Sequence, residues 1–218
     1  ITPHGIIAAA LLNCSQKRIY YRQLLAHAET YMNYLSFRNV KMADTLYIDR
    51  QGAFETVLDT FISNKYIEKS AANNKSGAPP NPIFKIYENK RPNLEYYKNN
   101  GVIFFVPAAF TSLSILALDA FQFTAADLHG HYVFLKNFFR NEFIFDPQEE
   151  IEPAIRKNLK ALIEDAIITP HPTLPDTYNL TSAGFRKLNL FAGFLTAYFE
   201  AYWVVLNFYM RYIKGPIL

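Results

Sequence analysis

Apolar residues recur at three- and four-residue steps through most of this chain, the spacing that gives a helix one buried stripe. The Ala/Leu-rich stretch 4–13 predicts a first helix. Leu24, Leu25, Ala28, Met32 and Leu35 predict a second over 19–38, with Asn39 as its stop. Asp49 stands where an N-cap belongs, before a helix over 50–65 that turns Phe54, Val57, Leu58, Phe61 and Ile62 inward. A loop over 70–82, rich in Gly, Ser, Asn and Pro, precedes a strand at 83–88, where apolar and polar residues alternate, and a turn at 90–93. The pattern from 94 to 106 fits either a returning strand or the start of a helix.

Further on, helices are predicted over 108–122, over 125–142 behind Thr124, and over 146–165, with Asp146 as N-cap, Pro147 at the first helical position and Glu149 and Glu150 in the first turn. A hairpin-like stretch, 167–180, leads to a last long helix capped by Thr181 or Ser182 and reaching about 213. The segment 57–67 echoes 158–168 at a spacing of 101 residues: each ends a helix in an apolar tail, followed by a Pro-rich loop, a short Tyr-containing strand and a long aromatic helix. The expected fold is therefore mostly α with short β-hairpins, arranged as two winged-helix-like halves, 1–110 and 111–218.

Half of the 218 residues are hydrophobic, 16% are aromatic and only 19% are charged, which excludes a disordered tail or a low-complexity linker. A net charge of +3 does not by itself point to nucleic acid or an anionic surface. Eight glycines leave little for phosphate-cradling loops, and the single Cys14 excludes an internal disulfide and a cysteine-based zinc site. The chain opens on Ile1 rather than Met, which suggests a piece of a longer or processed protein. No basic residue precedes the apolar run 6–12, so a signal peptide is not expected, and Asn13 stands where a lipobox would need a small residue.

Two segments are long enough to be weighed as membrane spans. Residues 99–118 carry no charge but include Asn99, Asn100, Thr111, Ser112, Ser114 and Pro107, and residues 190–210 are interrupted by Glu200. Both are expected to be buried core helices, although so many Phe and Tyr also suit a domain resting on a membrane face or a partner.

Catalytic and binding chemistry is sparse. His171 and Asp176 form an H-x-x-x-x-D pattern, in which a histidine takes a hydroxyl proton and a carboxylate orients its ring. Five His and eight Asp make a chance match ordinary, Pro172 and Pro175 force an extended loop, and no catalytic role is assigned. His129 and His131 lie two apart, off a common helical face, and Asp127 reads as a first-turn helix charge, so no metal site is expected. Lys85, Lys90, Arg91 and Lys98 with Tyr87, Tyr96 and Tyr97, together with Lys17, Arg18 and Arg22, would suit phosphate groups. A solvated hairpin over a core is the preferred account. Cys14 reads as a buried, inert thiol. No catalytic, cofactor-binding or metal residue is expected, and no cofactor.

Several stretches carry a family resemblance. Tyr96-Tyr97-Lys98-Asn99-Asn100 runs into Val102-Ile103-Phe104-Phe105-Val106-Pro107. Phe134 to Phe145 (FLKNFFRNEFIF), Tyr198 to Val204 (YFEAYWV) and the opening Thr2 to Leu12 follow the same order and spacing. Together they resemble the C-terminal region of bacterial glycerol-3-phosphate acyltransferases, membrane-associated enzymes of phospholipid synthesis. The resemblance implies that the acyltransferase domain, with its own H-x-x-x-x-D and substrate-binding segments, lies N-terminal to residue 1, so no family catalytic residue maps here. It implies a non-catalytic helical region that packs on that domain of the same parent chain and on the membrane surface, at the cytoplasmic face of the inner membrane. Two competing readings are a winged-helix DNA-binding or regulatory protein using helix 50–65, which carries Glu55 and Asp59 against its duplex role, and an integral membrane protein spanning at 99–118 and 190–210. Nucleic acid is not the expected partner.

Overall fold

The computed structural model describes residues 1–14, 16–71, 81–146 and 148–212. Most of the expected 70–82 loop, Pro147 and the end of the last helix beyond 212 lie outside the described residues. The chain is mostly helical with two small antiparallel sheets. Its first part runs α1 (Pro3–Leu12), β1 (Arg18–Tyr20), α2 (Tyr21–Phe37), a short α3 (Thr45–Ile48), α4 (Arg50–Ser63), β2 (Ile67–Ser70), β3 (Ile83–Ile86) and α5 (Arg91–Asn99). The second runs α6 (Val102–Ala117), β4 (Gln122–Thr124), α7 (Ala125–Phe138), α8 (Ile151–Glu164), β5 (Ile168–Pro170), β6 (Thr177–Leu180), α9 (Ser182–Ala192) and α10 (Thr196–Tyr212).

The repeat extends to the backbone. The two sheets have the same strand order, β1-β3-β2 and β4-β6-β5, all pairs antiparallel. In each, a three-residue strand feeds directly into the next helix, at Tyr20–Tyr21 and at Thr124–Ala125. The ends of α4 and α8 match residue for residue at the spacing of 101. Lys65 and Ala166 both adopt a left-handed φ, 55° and 52°. The Lys65 N–H donates to Ile62 O and the Tyr66 N–H to Phe61 O; the Ala166 N–H donates to Ile163 O and the Ile167 N–H to Leu162 O. This is the paired hydrogen bonding of a helix C-terminus that turns sharply, and it launches Ile67 and Ile168 into their strands.

Each repeat is organised around one helix apolar on every side. In α1 all residues from Ile6 to Leu12 are buried, and α2, α4 and α5 surround it. In α6 the residues Phe105, Val106, Ala108, Ala109, Phe110 and Ile115 are buried, and α7, α8 and α9 surround it. A helix without a polar face must be enclosed on all sides, by protein or by lipid. Most of the uncharged run 99–118 is thus the core helix α6, as expected, with Ile103 and Phe104 in its first turn exposed.

Caps account for the boundaries that were read correctly. The Asp49 carboxylate accepts from Gly52 N at 2.9 Å, and Thr124 and Asp127 cap one another reciprocally. Hydrogen bonds from Thr124 hold the Asp127 carboxyl below its usual range, so it is indeed a helix-start charge. Three expectations need correcting. The helix placed at 108 begins at Val102 with Pro107 inside it, and of the two readings left open for 94–106, residues 94–99 take the helical one. Asp146 caps nothing: its carboxylate accepts from Gln148 N in a local turn, and the helix begins at Ile151 after Glu150. The last helix is two, Thr181 capping α9, with a 3₁₀ turn at Gly193–Leu195 before α10.

Candidate functional site

The segments that carry the resemblance lie apart in sequence and converge at the root of α10. Phe139, at the end of α7, is fully buried there. Its ring lies 5.1 Å from Phe199, 6.2 Å from Tyr198 and 6.1 Å from Tyr202 on α10, and 5.9 Å from Phe110 on α6. Phe143 closes the far side, 5.1 Å from Tyr198. At the rim the Tyr202 hydroxyl donates to Glu142 Oε1 at 2.6 Å. These ring contacts favour edge-to-face and offset geometries, each worth about 0.5–1.5 kcal/mol beyond the area they bury.

Beside this cluster is a cleft of about 330 Å³ lined by Asn13, Cys14, Arg91, Glu95, Lys98 and Phe199, among others. Lys98 is 2% exposed, yet it is a lysine. Its Nζ sits 2.6 Å from Glu95 Oε2, and Arg91 Nε lies 3.7 Å from the other carboxylate oxygen. Burial pushes the Lys98 ammonium below the ordinary lysine range, and Glu95 opposes that shift. The pair lies within α5, and the negative charge of Glu200 on α10 also opposes the shift. Removing the carboxylate leaves a cation inside with a weakened set of partners. Glu95→Ala is therefore expected to cost about 3 kcal/mol in urea unfolding, and adding Lys98→Met to recover most of that loss. The sign of the pH dependence follows. Between the lowered folded value and the ordinary one the unfolded chain binds more protons, so raising pH through that window stabilises Glu95→Ala more than the double variant.

The other sequence candidates are placed as follows. His171 and Asp176 do not meet. His171 Nδ1 accepts from Thr173 N and Leu174 N at 3.2 and 3.0 Å, which folds the hairpin tip, while both Asp176 oxygens engage the Arg156 guanidinium. That ion pair holds the Asp176 carboxyl below its usual range. With its Nδ1 accepting from the loop and no carboxylate on its ring, His171 is not arranged as a general base. His129 and His131 are exposed on α7, and the described residues contain no group of His, Cys, Asp or Glu that would hold a metal ion. Cys14 is half-buried, and burial raises its thiol pKa, the opposite of a reactive thiolate.

The basic residues do not form one face. Lys98 is buried, and Arg91 leans on Glu95. Lys85 pairs across the sheet with Arg18 on one side and Glu68 on the other. Tyr97 turns inward to stack on His4 at 5.3 Å. A hairpin covering a core is what the structure contains.

A family model for the glycerol-3-phosphate acyltransferase C-terminal region matches residues 1–217. The chain belongs to that family. No curated protein matches the sequence significantly. Neither the family nor the scattered cations support the DNA-binding alternative.

What the chain exposes was missed. The segment 190–210 was expected to be core. Leu190, Phe191, Phe194 and Leu195 are indeed buried, but no residue of α10 is. Trp203 is 70% exposed, Val204 66% and Met210 83%. Taken end to end, α9, the 3₁₀ turn and α10 (Ser182–Tyr212) are long and apolar enough to cross a membrane by length and composition, and 28% of the most apolar window is buried. The sequence signal for a core helix and for a lipid-facing helix is the same apolar run, so hydropathy alone does not separate them.

Proposed function

We propose that this region is the non-catalytic helical scaffold of its parent glycerol-3-phosphate acyltransferase. It packs against the catalytic domain of the same chain and rests on the membrane, at the cytoplasmic face of the inner membrane. The observation that carries this reading is the contrast between α10, apolar and unburied, and the candidate catalytic pair, each member of which is committed to holding a loop. Two winged-helix-like units make up the scaffold, supported by their shared strand order and matching helix ends. Their seam is drawn at Gly101 rather than residue 110, because α6 runs through 110 and packs on α7, α8 and α9.

The test is direct. The 218-residue chain, given glycerol-3-phosphate and acyl-CoA or acyl carrier protein, is expected to transfer no acyl group, and to associate with the separately produced catalytic region of its parent. Turnover that disappears in His171→Ala, or a catalytic region that is fully active and never associates with this chain, overturns the proposal.

A further inference from the structure

The exposed surface of α10 goes beyond a general association with membranes, because its geometry identifies the contact. Successive residues of an α-helix are turned about 100° around its axis. Trp203, Val204, Val205 and Leu206 therefore point to four sides, and all four are exposed, as are Phe208, Tyr209, Met210 and Tyr212. A groove or a partner helix covers one stripe and leaves the others in water. From Trp203 to Met210 exposed apolar side chains stand on every side of the helix and Asn207 spends its amide on the Trp203 carbonyl, so the stretch is suited by a solvent that is apolar all round.

The ends of this stretch fit the same medium. Toward the body it begins where Tyr202 bonds to Glu142, with the exposed charges of Arg140 and Glu200 close by in sequence. Trp203 stands at that boundary, a residue type that favours lipid interfaces, and Arg211 near the far end has a side chain long enough to turn its guanidinium back toward headgroups or water. From Trp203 to Tyr212 the helix advances about 14 Å, roughly half of a hydrocarbon layer about 30 Å thick. Beside its root the exposed rings of Phe134 and Phe138 stack on one another at 5.9 Å, and Phe138 lies 5.1 Å from Tyr202, so the apolar surface continues onto α7.

From this juxtaposition we infer that α10, from Trp203 onward, inserts into a lipid bilayer, with Phe134 and Phe138 of α7 resting at the headgroup boundary. The inference deepens the membrane placement proposed above and is independent of the catalytic assignment.

Trp203 is the single tryptophan of the chain, so its fluorescence reports on this helix alone. The chain is purified in a dialysable detergent, mixed with phosphatidylethanolamine–phosphatidylglycerol vesicles and floated on a density gradient. The expected result is flotation with the vesicles, a blue shift of Trp203 emission, and quenching by lipids brominated along the acyl chain. The double variant Val205→Glu, Phe208→Glu is expected to lower the floated fraction more than about tenfold. Both side chains are more than half exposed and neither belongs to the core cluster, so the melting temperature should hold. A Trp203 emission that vesicles leave unchanged, protein that does not float, or a Trp203 already shielded without lipid by a second copy or by the catalytic region overturns the inference. Acyl transfer by the isolated chain would overturn the scaffold reading and leave the flotation result standing, so the two failures are distinguishable.

Discussion

Phe139→Ala is expected to destabilise the molecule by about 3–5 kcal/mol, the usual cost of emptying a buried Phe site. Phe139 is fully buried and its ring touches α6, α7 and α10 at once, so no single neighbour can collapse into the space. Part of the loss falls on the root of α10, whose Tyr198, Phe199 and Tyr202 all pack against this ring. Chemical unfolding measures the total. Phe134→Ala, five residues earlier, on α7 and 62% exposed, is the matched control, with an expected change within about 0.5 kcal/mol. Equal losses for the two would show that the cluster is not the keystone of this end of the fold.

The second large effect comes from the smallest substitution. A Cβ placed on Gly184 would stand 1.9 Å from the carbonyl oxygen of Ile167 and 2.8 Å from Thr181 Oγ1. That carbonyl already accepts from the Thr181 N–H and hydroxyl, both at 3.1 Å, and the hydroxyl in turn accepts from Gly184 N at 2.8 Å. The obstacle is backbone, so it yields only if α9 separates from the start of β5. Gly184→Ala is expected to cost about 3 kcal/mol, despite the higher helix propensity of Ala. Gly130→Ala reverses the sign. Nothing lies within 4 Å of its Cβ, it sits inside α7, and the expected gain is about 0.5–1 kcal/mol. Thermal melts decide both, at roughly 2–4 °C per kcal/mol for a chain of this size.

Much of the fold was legible because it is written in local signals. Asp49, Thr124 and Thr181 each cap the helix they were expected to cap, and IFKI forms a strand with the expected alternation. The misreadings have physical causes. Pro107 reads as a helix start because proline favours the first turn, yet here it lies inside α6, and the carbonyl it leaves without an N–H partner belongs to the exposed Ile103. Strands β1 and β4 are three residues each, too short to show an alternation, and they exist because β3 and β6 bring partners from more than fifty residues away. The root of α10 was legible only as separate motifs. Nothing local in YYKNN or YFEAYW says that Lys98 will be buried near Glu200, or that Glu142 will meet Tyr202, since those encounters depend on how α5, α7 and α10 cross.

The carbonyl of Leu190 accepts two hydrogen bonds from the other repeat, one from the Tyr31 hydroxyl and one from the Asn13 amide, while Tyr34 reaches Asn158 across the same boundary. The two parts are thus complementary: one supplies the donors and the other the acceptors. Neither can be inherited, swapped or trimmed away alone without leaving stranded polar groups in its partner's interior.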